Sequence, residues 1–214
     1  MKTLVLTVFL AVISICIGCA DNSLTGPSSV IIGSVEKREV ASGPINKMLQ
    51  NAEEQTRLTK NYTQAYFTIP YPNGDLPIDT GACSDVVIRS FRAAGIDLQK
   101  EVHEDMAANF GAYPKKWGLS ATDSNIDHRR VPNLQTFFTR KRKSVAITAN
   151  PDDYLPGDVV SWDLDGKGMT HIGVVSNLWN ERTKRYLIIH NIGGGTKAED
   201  RLLDWKITGH FRYF

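Results

Sequence analysis

The sequence predicts an α+β domain, and three observations carry that prediction. Apolar residues at helical spacing fill much of the first two thirds of the chain, strand-like runs fill the last third, and the links between those runs are short. Helices ahead of strands joined by short turns favour an antiparallel sheet with helices packed on it. The chain has 214 residues, 42% hydrophobic and 22% charged, enough for one domain with a full core. Its 25 basic and 23 acidic residues leave a formal charge of +2. So small an excess argues neither for nor against a polyanionic partner.

Taken in order, the chain opens on an export signal. Lys2 supplies a short positive region, and Leu4 to Ile17 is almost wholly apolar. That run is too short for a membrane span, which takes roughly 20 residues, and fits a signal peptide over residues 1–18. Cys16-Ile17-Gly18-Cys19-Ala20 is similar to a bacterial lipobox, with Cys16 where leucine is usual. The similarity implies a lipidated Cys19 as the first mature residue; an ordinary signal peptide cleaved nearby is the alternative. Ala20, in place of the Asp that marks inner-membrane retention, favours a lipid anchor in the outer membrane, facing the periplasm. Residues 19–43 read as a tether, rich in Ser, Asn, Gly and Pro up to Ser29. The domain is expected over 44–214.

Ile45, Met48, Leu49, Ala52 and Leu58 predict an amphipathic helix over Pro44 to Thr59. Tyr62 to Asp79, with Pro70, Pro72, Asn73-Gly74 and Pro77, can be neither long helix nor central strand and reads as an ordered loop. Val86, Val87, Ser90, Phe91 and Ala94 then predict a helix with Gly95 as its stop. Leu98 to Phe110 predicts another, and Gly111 to Val131 reads as irregular. Pro132 opens a short helix with Leu134, Phe137 and Phe138 on one face, closed by Arg140 to Lys143 at the negative end of its dipole. Strands are predicted at Asp158–Trp162, His171–Val175, Arg185–His190 and Thr208–Tyr213.

The chemistry centres on Cys83, which falls at the start of the second helix. Unpaired N–H groups and the positive dipole end there favour a thiolate, the nucleophilic form. If Cys16 leaves with the signal and Cys19 is acylated, Cys83 is a solitary thiol in an exported protein, either reactive or a buried structural residue. A cysteine nucleophile needs a base, and the base needs an orienting group. His171 and His190, on neighbouring predicted strands, are candidates for those roles, although their spacing alone is a weak signal.

The stretches Asp79-Thr80-Gly81-Ala82-Cys83-Ser84-Asp85, Pro156-Gly157-Asp158-Val159-Val160, Thr170-His171-Ile172-Gly173-Val174-Val175 and Ile189-His190 resemble the NlpC/P60 superfamily of papain-like cysteine peptidases. Cys83 to Arg89, Asn125 to Leu134, His190-Asn191-Ile192-Gly193 and Gly209 to Tyr213 resemble more closely the bacterial DUF1287 family. The resemblance implies a papain-like fold with the nucleophile helix packed on the C-terminal antiparallel sheet. It also implies Cys83 as nucleophile, His171 as base and His190 as orienter. An oxyanion hole would form from the Cys83 N–H, with Tyr71 as a side-chain donor. Many such peptidases carry Asp directly before the cysteine to hold the substrate amine; here Ala82 stands there, with Asp79 or Asp85 as substitutes.

Asp127, Arg129 and Arg130 either anchor substrate carboxylates, which Arg binds bidentately, or tie their loop to the domain. Arg140 to Lys143 reads as a solvated helix end, without the flanking aromatics of a nucleic-acid site. Gly193-Gly194-Gly195 lacks the frame of a phosphate loop and reads as a mobile loop beside His190. No zinc-type histidine spacing is present. The expected function is a cell-wall cysteine hydrolase that cuts an amide bond in peptidoglycan peptides, without cofactor or metal and as a monomer. The rivals are an acyl or lipid transferase or thioesterase on the same scaffold, and a non-catalytic wall-binding lipoprotein.

Overall fold

The computed structural model describes residues 35–214. The expected signal segment, Cys19 and the tether up to residue 34 lie outside the described residues. In chain order the elements are β1 (Val35–Lys37), α1 (Pro44–Leu58), β2 (Asn61–Tyr62), β3 (Thr80–Gly81), α2 (Cys83–Ala93), α3 (Leu98–Ala108) and α4 (Val131–Arg140). There follow β4 (Val159–Asp163), β5 (Thr170–Asn180), β6 (Arg185–Asn191), β7 (Thr196–Glu199) and β8 (Lys206–Phe211). The predicted α+β class is the observed one. The end of the expected tether is not a tether, however: β1 pairs antiparallel with β5, Val35 opposite Asn180.

The sheet runs β7-β6-β5-β4-β8, with β1 also on β5, and every pairing is antiparallel. Side chains on β5 alternate between two cores. Ile172 and Val174 pack against the helices, with Cys83, Val87, Phe91, Leu134 and Phe138. Val175 packs on the other face with Val160, Trp162, Ile188 and Leu202. A strand buried on both faces reads as a continuous apolar run, which is why β5 was visible in the sequence.

Proline at the first turn of α1 carries no N–H that the helix would need. The buried face is Met48, Leu49, Ala52 and Gln55, whereas Leu58, expected on that face, is exposed. Gln55 is tolerated inside because its amide donates to Val86 O at 3.1 Å and Ser90 Oγ at 3.3 Å on α2. Asp97 caps α3 by accepting from the Gln99 N–H at 3.0 Å. The loop before Cys83 is fastened by a two-residue parallel pair, Asn61 opposite Thr80 and Tyr62 opposite Gly81.

Gly193 to Gly195 turn the chain from β6 into β7, all at positive φ, conformations that glycine adopts without steric cost. The loop expected there joins the two strands as a short turn. A Cβ on Gly195 would lie 2.7 Å from Thr59 O, and the next N–H, of Thr196, donates to that same carbonyl at 2.9 Å.

Candidate active site

Cys83 is the first residue of α2, and Asp85, two positions on, shapes that helix start. Asp85 Oδ2 accepts from the Ala82 N–H at 2.6 Å. Arg129 grips the same carboxylate with Nε to Oδ1 at 2.9 Å and Nη2 to Oδ2 at 3.1 Å. Both side chains are only 3% exposed, and Arg129 Nη1 donates to Ala65 O at 2.9 Å. This bidentate pair ties the 127–129 turn and the loop before Cys83 to the helix start. Asp85 does not line the cavity and is spent on this structural pair, against the substrate-binding role expected for it, whereas Arg129 lines the cavity beside Cys83 with its donors committed to Asp85 and Ala65.

Cys83 lines a cavity of about 410 Å³ together with Tyr62, Tyr66, Trp117, Arg129, Arg130 and Thr170. It is the free cysteine of the described residues. Backbone N–H groups of Ile172 and Ser84 reach its sulfur, but burial outweighs them and pushes the thiol up to about 11, with the Asp85 charge adding to the rise. Burial thus works against the thiolate expected from helix position: desolvation disfavours the anion that the helix start favours.

His171 lies on β5 next to Ile172. Its Nε2 is 2.7 Å from Nδ1 of His190, and His190 Nε2 is 3.1 Å from Glu199 Oε2. The His171 ring packs among Trp162, His190 and Trp205, with centroids 5.8, 5.0 and 6.0 Å away. Burial lowers the imidazole to about 3, and the neighbouring His190 reinforces this. His190 is lowered as well, chiefly by burial, while Glu199 opposes the shift. Both rings are therefore neutral near pH 7. The structure joins His171 to His190 and sets Cys83 against the adjacent residue of β5. It shows no hydrogen bond from Cys83 to either histidine, and the alternation of β5 turns the His171 ring toward Trp162 while Ile172 faces the sulfur.

The remaining sequence candidates separate. Tyr71 is exposed and stands edge-on to His103, away from the Cys83 cavity. Tyr62 lies in the cavity instead. Burial raises its hydroxyl pKa, a hydrogen bond donated by the Gln64 amide opposes the rise, and the charges of Cys83 and Asp85 add to it. No periodicity could have found Tyr62, since the parallel pairing with Gly81 places it. Asp79 is exposed, and its backbone carbonyl holds the Lys60 and Asn61 N–H groups at 2.9 Å each. Asp127 is buried, accepts from the Asp123 N–H at 2.7 Å and contacts His103 Nδ1 at 3.1 Å, with its carboxyl pKa raised by burial. Neither aspartate lines the cavity. Arg130 does, with its guanidinium 4.1 Å from the Trp117 ring centre and Nη1 buried without a partner. Among the described residues no group of His, Cys, Asp and Glu side chains is arranged to hold a metal ion.

What fold and site define together is an α+β domain with a buried helix-start cysteine beside a histidine pair backed by a carboxylate. The chain belongs to the DUF1287 family, a domain of unknown function, whose family model matches residues 49–213. It is 54% identical over 163 residues to "Uncharacterized protein YijF" of Escherichia coli (strain K12), covering 76% of this chain and 78% of that protein. Among solved structures it is similar to NlpC1 from Trichomonas vaginalis, at 13% identity and a TM-score of 0.45, over 83% of this chain and 46% of that one. The chain thus spans about half the length of that structure.

Proposed function

We propose that this protein is an exported cysteine hydrolase that cleaves an amide bond in peptidoglycan peptides. The observation that carries the reading is Cys83 itself, a free thiol at a helix start that lines a cavity and touches β5, the strand that bears His171 of the His171–His190 pair. The NlpC/P60-like motifs around Cys83, His171 and His190 support the reaction class. The apolar run Leu4 to Ile17 and the lipobox-like Cys16-Ile17-Gly18-Cys19-Ala20, read as an export signal with a lipidated Cys19, support a site of action in the cell envelope.

In this reading Cys83 Sγ and His171 Nδ1, which share no hydrogen bond at rest, come into reach when the His171 ring turns from Trp162 toward the sulfur on substrate binding, since catalytic contacts often form only in the complex. Because thiol and imidazole are both neutral at rest, the S–H proton passes to Nδ1 as sulfur attacks the carbonyl carbon. The oxyanion is met by the Cys83 N–H at the helix start and by the Tyr62 hydroxyl. Collapse of the tetrahedral adduct breaks the C–N bond, and the imidazolium returns its proton to the departing amine. Water, deprotonated by His171, then releases the acyl group from sulfur. Arg130 on Trp117 supplies a cation for a substrate carboxylate.

The test is mass analysis of purified peptidoglycan incubated with the protein. The expected result is new amine and carboxyl ends at one peptide bond, absent with Cys83→Ser. Unchanged peptidoglycan, or cleavage that survives Cys83→Ser, contradicts the proposal.

A further inference from the structure

We propose that Glu199 is a positioning residue that fixes the tautomers of both site histidines, leaving His171 Nδ1 as the unprotonated nitrogen. The role of Nδ1 as proton acceptor rests on the hydrolase reading above; the tautomers follow from the contacts alone. Glu199 sits diagonally across from His190 in the β6–β7 hairpin, where His190 pairs with Lys197 and Ile188 with Glu199. Diagonal cross-strand neighbours on one face lie within reach of long side chains. The glycine turn Gly193 to Gly195 sets that register.

An ionised carboxylate can only accept hydrogen bonds, and a neutral imidazole carries one N–H. At 3.1 Å from Glu199 Oε2, His190 Nε2 must therefore hold the proton. His190 Nδ1 is then a bare acceptor, so the 2.7 Å contact requires His171 Nε2 to donate to it. The single N–H of His171 is thus committed, and its Nδ1 is left with a lone pair and no hydrogen-bond partner among the described residues. Burial keeps both rings neutral, and the nearby cations of Lys197 and Arg201 also disfavour charge on His190. Without the carboxylate the chain can reverse. His190 Nδ1–H would then donate to His171 Nε2, and the His171 proton would move to Nδ1, the wrong nitrogen for accepting a proton from sulfur.

The experiment is ¹⁵N NMR of histidine-labelled full-length protein, read beside hydrolysis of wall peptide. Wild-type protein is expected to show His171 protonated on Nε2 and bare on Nδ1. Glu199→Ala should mix or reverse the two tautomers, while Glu199→Gln, whose amide oxygen also accepts, should retain the wild-type form in part. In turnover, Glu199→Ala should lower kcat by about 10- to 100-fold with KM little changed, the usual scale for a group that orients a functional histidine, and Glu199→Gln should recover part of it. A wild-type His171 with its proton on Nδ1, or tautomers unmoved in Glu199→Ala, overturns the proposal. If no peptide is cleaved by any form, the hydrolase reading fails while the tautomer result still decides the role of Glu199. Should Glu199→Ala not fold, Glu199→Leu, whose side chain accepts no hydrogen bond, supplies the same spectrum-based decision.

Discussion

Arg129 and Arg130 are consecutive in the chain and do opposite things. Arg129 is buried, held bidentately by Asp85 and bonded to the Ala65 carbonyl. Arg130 is half-buried over Trp117 beside the cavity, with Nη1 unpartnered. One arginine builds the helix start that presents Cys83, and the other is free to meet what enters. The contrast shows that a basic pair in a loop cannot be assigned as a unit: both members line the cavity, and satisfaction of the donors decides which is structural.

The comparison breaks most sharply at Arg129. Arg129→Ala leaves the Asp85 charge buried and alone, an effect on the order of 3–5 kcal/mol. A large fall in the melting temperature should follow, and removing Asp85 as well should restore part of it, since no orphan charge then remains. Thermal melts of both variants check this; an Arg129→Ala protein as stable as wild type would mean that the pair does not hold the helix start.

Acid provides the next largest effect. His171 and His128 are both buried, with folded values depressed to about 3 from the usual 6.5. Protonation therefore favours the unfolded chain: the stability tied to these groups is full above about pH 6.5 and is lost as pH falls toward 3, by a few kcal/mol in total. The Cys83 thiol acts at the other end. Its value is raised from 9.0 to about 11, so its contribution is full below pH 9 and is lost as pH climbs toward 11. Denaturant titrations across both windows should show both losses, and the alkaline one should shrink in Cys83→Ala.

Arg130→Ala should leave the melting temperature nearly unchanged but weaken cleavage of carboxylate-bearing wall peptides by about 10- to 100-fold, the scale of a lost hydrogen bond to a charged group. Arg130→Lys should recover part, as a point charge without the planar fork. The smallest effect separates two tyrosines: Tyr62→Phe should slow turnover, while Tyr71→Phe should not change it.

The helical half of the fold was legible because its periods are strong: α2 starts at Cys83 and buries Val86, Val87 and Phe91 as the spacing predicts. The four predicted strands are present, with β5 longer than its apolar run because Leu178 to Asn180 pair with β1. What escaped depends on pairing between distant segments. β7, read from Thr196 to Glu199, has no apolar alternation, so Glu199 carried no signal. Tyr62 reaches the cavity through a parallel pair of two residues. Helix position and burial push the ionisation of Cys83 in opposite directions, and only the first is local enough to read from the sequence.

The most direct test of the central claim is a rapid-quench reaction of the protein with wall peptide, followed by mass analysis of the peptide containing Cys83. An acyl adduct on Cys83 should form and decay during turnover in wild type, be absent in Cys83→Ser, and fail to accumulate in a folded His171→Ala protein because the thiol has lost its proton acceptor. Turnover without any adduct on Cys83, or full activity in folded His171→Ala, would contradict the account.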